Sequence, residues 1–255
     1  MSQDVTGFVD LELRAELVQA LARLGYEEPT PIQRLAIPSV LAGRDLVGQA
    51  ATGTGKTAAF ALPVLQRITW PREAVDPVAL VLVPTRELAV QVSEAMHRYG
   101  HDLGARVVPV YGGQPIGRQL GSLRRGVDVV VATPGRALDH IARGTLRLAD
   151  LATVVLDEAD EMLDMGFAED IEAILAETPE DRQTLLFSAT MPARINGMVR
   201  RHLRDPARIE LGRDESTDDD VALVRQSAYV VPRGHKPAAL GRVLDIEVPA
   251  AAVVF

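Results

Sequence analysis

Short apolar runs and amphipathic stretches alternate along most of the chain. Six runs rich in valine, leucine and isoleucine occupy residues 45–49, 78–83, 106–111, 127–132, 153–156 and 184–187. They are apolar at nearly every position, which is typical of strands that are covered on both faces. Segments with helical spacing lie between them, at residues 56–68, 87–99, 117–125, 136–143, 171–177 and 193–203. This alternation predicts an α/β fold, a parallel sheet flanked by helices on both faces.

The pattern changes after Pro206. Residues 214–220 are acidic and rich in turn formers, which is typical of an exposed linker or loop. A strand-like segment at 228–231, a helix at 237–244 and an apolar run at 251–255 follow. We therefore predict a first domain, an acidic linker or loop, and the start of a second domain that is cut short, at residues 1–212, 213–222 and 223–255.

Composition narrows the class of protein. The chain has 255 residues and no cysteine, so disulfides and thiolate metal sites are excluded. Its first residues are polar and acidic, unlike a secretory signal, and no apolar stretch reaches the roughly 20 residues of a membrane span. We expect a cytoplasmic protein without a membrane partner. The net charge of -8 argues against binding nucleic acid by bulk electrostatics, so a local surface would have to do it.

A glycine-rich segment follows the first run and precedes a helical segment. Backbone N–H groups of such a loop can surround phosphate oxygens, while a lysine reaches the outer phosphates and a threonine hydroxyl binds Mg²⁺. Taken alone, the segment could also be a simple strand-to-helix turn. We predict a nucleotide-binding P-loop, in which alanine stands at the usual first glycine, formed by Ala50, Ala51, Thr52, Gly53, Thr54, Gly55, Lys56 and Thr57.

An acidic turn follows the fifth run. Asp157, at the end of the predicted strand, can hold Mg²⁺ together with Thr57, and Glu158 can accept a proton from an attacking water. By itself such a turn is more often the solvated start of a helix. Together with the P-loop it predicts a nucleoside triphosphatase, with Lys56, Asp157 and Glu158 as catalytic residues.

Seven motifs in a fixed order connect these features to a known family. The chain resembles the DEAD-box RNA helicases of superfamily 2 over residues 8–255, and the segment 157–160 spells DEAD itself. The matching motifs are residues 25–33, 50–57, 84–88, 112–113, 133–136, 157–160 and 188–190. The resemblance implies a RecA-like fold, ATP and Mg²⁺ as ligands, and RNA as a partner.

The first motif of the family binds the adenine base. The resemblance implies that the amide of Gln33 pairs with adenine and that Phe8 stacks on the ring. Without the family, Gln33 could equally begin a helix and Phe8 could belong to the core.

Three motifs of the family hold the RNA sugar-phosphate chain. The resemblance assigns this role to Arg86, Thr133 and Arg136 and to the backbone of Gly112 and Gly113. Guanidinium, hydroxyl and backbone N–H groups bind phosphate without reading bases, so little sequence preference is expected. Either arginine alone could instead cap a helix or form a surface ion pair.

Ser188 and Thr190 form the last motif. The resemblance implies that they hydrogen-bond towards the acidic motif and couple nucleotide to RNA, and we expect Asp160 to be their partner. The alternative is that they cap the following helix.

The family separates RNA strands with two RecA-like domains, the second of which supplies arginines to the ATP site. None of that domain's motifs occurs in this sequence, so we expect the chain to bind ATP with little turnover. Three other functions share some of these motifs: an ATP-dependent RNA clamp, a DNA helicase or translocase, and a generic P-loop ATPase. The last does not account for Arg86, Gly112–Gly113 or the segment 133–136.

Overall fold

The structure is a computed structural model that describes residues 7–70, 72, 74–211 and 227–254. It divides into two compact units, Met1–Arg213 and Asp214–Phe255. The acidic linker predicted at 213–222 lies outside the described residues.

Seven parallel strands form one sheet in the first unit, in the order β3-β4-β2-β5-β6-β1-β7. Each predicted run overlaps a strand, so the predicted parallel sheet is confirmed. The hydrophobic pattern does not predict β7, because its residues alternate between buried and exposed positions at the edge of the sheet. The strands are β1 (Leu46–Gln49), β2 (Ala79–Leu82), β3 (Val107–Val110), β4 (Val129–Ala132), β5 (Thr153–Leu156), β6 (Gln183–Ser188) and β7 (Ala207–Glu210).

Helices follow the strands as predicted, and α1, α2 and α7 are additional to the six helical segments named above. The helices are α1 (Ala15–Arg23), α2 (Pro31–Leu41), α3 (Lys56–Arg67), α4 (Arg86–Tyr99), α5 (Ile116–Arg124), α6 (Pro134–Ala142), α7 (Ala159–Asp164), α8 (Ala168–Ala176), α9 (Ala193–His202) and α10 (Lys236–Glu247). Within the described ranges, none is long and apolar enough to cross a membrane.

The sheet carries a hydrophobic cluster on each face. Successive residues of β2 alternate between them: Ala79 and Val81 belong to one cluster, Leu80 and Leu82 to the other. Burial of one such leucine side chain stabilises the fold by about 1.5–3 kcal/mol. The unbroken apolar runs in the sequence therefore follow from burial on both faces, and the resulting rigid sheet fixes the loops at its ends.

The second unit is small, and its predicted helix at 237–244 is confirmed as part of α10. The strand predicted at 228–231 is wrong, since 227–232 form no strand, and the apolar run at 251–255 forms none over its described residues 251–254. Val230 is fully exposed and Tyr229 largely so, and no strand among the described residues pairs with this segment. An apolar run becomes a strand only where a pairing partner satisfies its backbone groups.

Candidate functional site

Six of the seven predicted motifs meet along one edge of the sheet, because all seven strands are parallel and these motifs follow the strands' carboxyl ends. The remaining motif, residues 25–33, precedes β1. The strand order separates the motifs into two groups. We call the loops after β1, β5 and β6 the P-loop half; they hold residues 50–57, 157–160 and 188–190. We call the loops after β2, β3 and β4 the arginine half; they hold residues 84–87, 112–113 and 133–136.

The P-loop turns sharply between β1 and α3. Gly53 and Gly55 have φ angles of 82° and 93°, a left-handed backbone that favours glycine. A Cβ atom on Gly55 would lie 2.5 Å from Nε2 of Gln33 and 2.9 Å from Oγ1 of Thr30. Gly55 is therefore required both by the turn and by the close approach of α2.

Lys56 is the first residue of α3, and its side chain points into this turn. The residue is 6% exposed, and its buried Nζ has no hydrogen-bond partner among the described residues. A buried ammonium needs negative charge to offset its lost hydration. Lys56 beside the N-terminus of α3 thus fits a phosphate group.

A cavity of ≈ 540 Å³ opens beside Lys56. It brings together the P-loop, the acidic motif, Gln33 and one face of α4. Its lining residues are Tyr26, Gln33, Thr52, Gly53, Gly55, Lys56, Thr57, Ala58, Leu88, Gln91, Val92, Ala95, Arg98, Tyr99, Asp157 and Glu158. The volume and the polar groups suit a small-molecule ligand.

The acidic motif places two carboxyl groups at this cavity. Burial raises the pKa of Asp157 to about 6, although the charge of Lys56 and the Glu158 N–H, 3.1 Å from Oδ1 of Asp157, oppose the rise. Burial also raises the pKa of Glu158 to about 7, helped by a hydrogen bond with Glu161 and by the charge of Asp157. A carboxyl group with a pKa near neutrality is suited to accept a proton.

Glu158 has a strained backbone, with φ 54° and ψ 49° at the residue before α7. Left-handed geometry at a residue with a side chain costs roughly 1–2 kcal/mol, and such strain occurs often at functional sites. The strained turn sets the Glu158 carboxyl at the cavity while Asp157 stays buried at the end of β5.

The oxygen ligands present here fit Mg²⁺. Thr57 supplies a hydroxyl and Asp157 a carboxylate, and both line the cavity. Within the described ranges, no group of three or more His, Cys, Asp or Glu side chains could hold a metal ion by itself. Mg²⁺ is usually bound by one or two protein oxygens together with substrate phosphates and water, which is the arrangement that these two residues allow.

Asp160 connects β5 with β6 through Thr190. Its Oδ2 accepts hydrogen bonds from the backbone N of Thr190 at 2.9 Å and from Oγ1 of Thr190 at 2.7 Å. Burial raises the pKa of Asp160, but the hydrogen bonds from Thr190, together with the nearby Ser188 hydroxyl, outweigh it and lower the pKa below its ordinary value. The predicted contact with Thr190 is confirmed, while Oγ of Ser188 also donates to the Thr190 carbonyl at 2.7 Å.

Gln33 and Phe8 agree with the alternative interpretation, in which Gln33 begins a helix and Phe8 belongs to the core. Oε1 of Gln33 accepts from the Thr30 N–H at 3.0 Å, and Nε2 donates to the Gly55 carbonyl at 3.1 Å. Gln33 therefore closes the first turn of α2 and ties it to the P-loop, while also lining the cavity. Phe8 is 5% exposed, packs edge-on against Tyr26 with ring centroids 6.2 Å apart, and is not among the described residues that line the cavity.

In the arginine half, Arg86 and the glycine pair are adjacent. Arg86 is the first residue of α4, and its guanidinium carbon lies 5.5 Å from the centre of the Tyr111 ring. A Cβ atom on Gly113, whose φ is 80°, would lie 3.7 Å from Nη1 of Arg86. Gly112 and Gly113 are exposed, and their backbone N–H groups donate to no described residue. Such free N–H groups beside a guanidinium form a surface that fits phosphate.

Thr133 and Arg136 open α6 on the neighbouring strand end. Thr133 precedes the helix, and its backbone N–H donates to the Val110 carbonyl at 3.0 Å. Nη1 of Arg136 donates to the Gln114 carbonyl at 3.1 Å, and its Nε lies 3.8 Å from Asp139. Arg136 is thus fixed by the protein close to the glycine loop.

Six lining residues of the cavity lie outside the predicted motifs: Ala58, Gln91, Val92, Ala95, Arg98 and Tyr99. Gln91, Arg98 and Tyr99 lie on one face of α4, and the Tyr99 hydroxyl hydrogen-bonds that of Tyr26 at 2.8 Å. The spacing of 88, 91, 92, 95, 98 and 99 marks this face in the sequence. Nothing in the sequence tells which face of α4 meets the P-loop, because that depends on tertiary packing.

The sequence profile of the DEAD/DEAH box helicases matches residues 30–198. The DEAD-box ATP-dependent RNA helicase CshA of Bacillus licheniformis is 50% identical over 97% of this chain, and that of Geobacillus kaustophilus 49% over 98%. The matches cover 50% and 53% of those relatives, so this chain spans about half their length.

Solved structures give the same picture. A DEAD box protein from Methanococcus jannaschii superposes with a TM-score of 0.78 and is 38% identical, covering 94% of this chain and 63% of that one. A hypothetical ATP-dependent RNA helicase from Sulfolobus tokodaii gives a TM-score of 0.71 at 40% identity, covering 78% and 57%.

Proposed function

This chain belongs to the DEAD/DEAH box helicase family, and we propose that it is the nucleotide-binding half of a DEAD-box ATP-dependent RNA helicase acting in the cytoplasm. The observation that carries the proposal is the buried Nζ of Lys56, which has no hydrogen-bond partner among the described residues and lines the same cavity as Asp157 and Glu158. The phosphates of ATP would supply the negatively charged partner that the ammonium of Lys56 needs. RNA would bind to the arginine half along the same sheet edge.

The P-loop half binds the nucleotide phosphates. Backbone N–H groups of residues 52–57 and the ammonium of Lys56 hold the phosphate oxygens. Thr57 and Asp157 would hold Mg²⁺, which would offset charge on the phosphates when bound. The adenine lies towards the Gln33 end of the cavity. Because the amide of Gln33 already bonds Thr30 and Gly55, we propose that it exchanges the Gly55 bond for adenine, or selects adenine by holding the P-loop in place.

Glu158 activates the attacking water. The water oxygen forms a bond to the terminal phosphorus, the bond from that phosphorus to the ADP oxygen breaks, and a water proton passes to Glu158. The raised pKa of Glu158 supports this role. Its strained backbone, just before α7, holds the carboxyl at the cavity.

RNA binds through its sugar-phosphate chain. Arg86, Thr133 and Arg136 and the free N–H groups of Gly112 and Gly113 contact phosphates and hydroxyls rather than base edges. Thr190, bonded to Asp160 next to the catalytic Glu158, couples this surface to ATP. A second RecA-like domain, in the part of the relatives that this chain does not match, closes over both ligands and completes the ATP site.

Steady-state ATP turnover tests the proposal. It would be measured with and without single-stranded RNA, for this chain and for a protein extended by a second RecA-like domain, with DNA of equal sequence as the control. We expect RNA-stimulated turnover from the extended protein alone, and less stimulation by DNA. RNA-independent turnover by this chain at the same rate would contradict the two-domain assignment. Equal stimulation by DNA would contradict the assignment of RNA.

A further inference from the structure

Gln119, on α5, lies behind the arginine half and is buried, at 6% exposure. Its Nε2 donates to the carbonyl of Tyr111 at 2.8 Å, and its Oε1 accepts from Nε2 of His140 at 3.0 Å and from Nη1 of Arg136 at 3.5 Å. The side-chain amide of Gln119 therefore contacts both the loop after β3 and helix α6. No other described glutamine or asparagine side chain bonds two of the proposed RNA-binding loops.

His140 fixes the orientation of this amide. The ring is fully buried, and its Nδ1 lies 2.9 Å from Oγ1 of Thr145. An amide oxygen only accepts hydrogen bonds, so Nε2 of His140 carries the proton that Oε1 of Gln119 accepts. Since Oε1 is committed to His140 and Arg136, Nε2 of Gln119 can only face Tyr111.

Gln119 contacts Tyr111 and Arg136, which lie next to or among the residues proposed to bind RNA. Tyr111 is the residue before Gly112, and its ring lies under Arg86. Arg136 also donates to the carbonyl of Gln114, on the other side of the glycine pair. The glycine loop is thus held at both of its ends, by Gln119 at Tyr111 and by Arg136 at Gln114, and Gln119 contacts Arg136 as well.

We propose that Gln119 is a positioning residue for RNA binding. It holds the free N–H groups of Gly112 and Gly113 and the guanidinium of Arg136 in one arrangement, so that the RNA backbone meets them without prior ordering of the loop. This inference rests on the proposed function, because it assumes that these groups bind RNA. A flexible loop that becomes ordered on binding loses conformational entropy, which lowers affinity. Because Gln119 already holds the loop, we expect this loss to be smaller.

Gln183 provides a matched control, because it too is buried and uses its amide to hold backbone carbonyls. Its Nε2 donates to Val40 at 3.0 Å and to Arg44 at 2.6 Å. It begins β6, at the end of the sheet opposite the loops of the arginine half. Replacing either glutamine by methionine removes the hydrogen bonds and keeps the length of the side chain, so a purely structural role predicts the same result for both.

The experiment measures three properties of the 255-residue chain and its variants Gln119→Met and Gln183→Met. These are the affinity for labelled single-stranded RNA, the affinity for a labelled ADP analogue, and the melting temperature. We expect Gln119→Met to weaken RNA binding about tenfold, as expected when a buried bonding group is removed, and Gln183→Met to change it less than about twofold. Both variants should keep the ADP affinity of the unmodified chain.

Amide hydrogen exchange gives a second readout. Gly112 and Gly113 should exchange faster in Gln119→Met than in Gln183→Met at equal distance below the melting temperature. If Gln119→Met does not fold, Gln119→Asn replaces it, because the amide is then one methylene too short to span Tyr111 and Arg136.

The outcomes separate this inference from the proposed function. Equal RNA affinity and equal loop exchange in the two glutamine variants overturn the positioning role, provided that Arg86→Ala and Arg136→Ala weaken RNA binding. If the unmodified chain does not bind RNA, the assignment of the arginine half to RNA is wrong, and the role of Gln119 is wrong with it.

Discussion

The two halves of the sheet edge treat charge in opposite ways. In the P-loop half, Lys56 and Asp157 are buried, and Nζ of Lys56 has no partner among the described residues. In the arginine half, Arg86 is exposed, and Arg136 already bonds the protein. A charge that has lost its water interacts strongly with a ligand, whereas an exposed one stays hydrated and is screened by salt. We therefore expect single residues to dominate nucleotide binding and many small contributions to make up RNA binding.

The largest expected effect is on nucleotide affinity when Lys56 is replaced. Lys56→Met should weaken ADP binding at least about 100-fold, because a charge-assisted bond in a buried position is lost. Isothermal titration with ADP measures this. Lys236 is the only other lysine in the sequence and is exposed on α10, so Lys236→Met is the control and should bind ADP normally. ADP affinity within a few-fold of the unmodified chain in Lys56→Met would contradict the contrast between the halves.

The next effect is on stability at different pH. Burial raises the pKa of Asp157 from 3.8 to about 6, so the folded protein binds this proton more tightly than the unfolded chain does. Below about pH 4, Asp157 is protonated in both states and does not lower the free energy of unfolding. Between about pH 4 and pH 6 its burial lowers the free energy of unfolding progressively, and above about pH 6 the loss is constant. Asparagine resembles the protonated acid. Asp157→Asn should raise the free energy of unfolding by roughly 3 kcal/mol at pH 8, with the gain disappearing towards pH 4.

Urea denaturation between pH 4 and pH 8, without nucleotide or Mg²⁺, measures this dependence. Asp164→Asn, an exposed position on α7, is the control and should leave the unfolding free energy unchanged. A gain in Asp157→Asn that does not vary with pH would mean that the Asp157 carboxyl is not desolvated in the folded chain.

The sequence predicts which residues form the P-loop and the acidic motif. It does not predict the side-chain contacts that distant segments make in either half. Residues 50–57 and Asp157 are recognisable because phosphate chemistry restricts which residues can follow a strand at those positions. The bond from Gln33 to the P-loop carbonyl of Gly55 and the burial of Phe8 against Tyr26 are set by contacts between distant segments. The same holds for Gln119 and His140, whose 21-residue separation carries no periodic signal. The segment 228–231 shows the converse error, since an apolar pattern cannot supply its own pairing strand.

A smaller effect is expected at the junction of the acidic motif and β6. Thr190→Val removes the hydroxyl that donates to Asp160, so the free energy of unfolding should fall by about 1 kcal/mol. Thr184, on the same chain segment, has a buried hydroxyl without a partner among the described residues, so Thr184→Val should be neutral or stabilising. Thermal or urea denaturation of the pair measures the difference. A larger loss in Thr184→Val than in Thr190→Val would show that the bond to Asp160 does not stabilise this junction.

The last prediction separates the two glycines of the arginine half. Gly113 has a φ of 80°, so Gly113→Ala should cost roughly 1–2 kcal/mol in its present conformation and shift the loop away from Arg86. Gly112 does not have a left-handed φ angle, and a Cβ atom there would lie in open space. Gly112→Ala should therefore keep the loop conformation. Affinity for labelled RNA should fall several-fold more in Gly113→Ala than in Gly112→Ala, while ADP affinity stays the same in both. If ADP affinity fell along with RNA affinity in Gly113→Ala, the two halves would not be separate binding surfaces, because strain in one would then reach the other without any ligand bound to it.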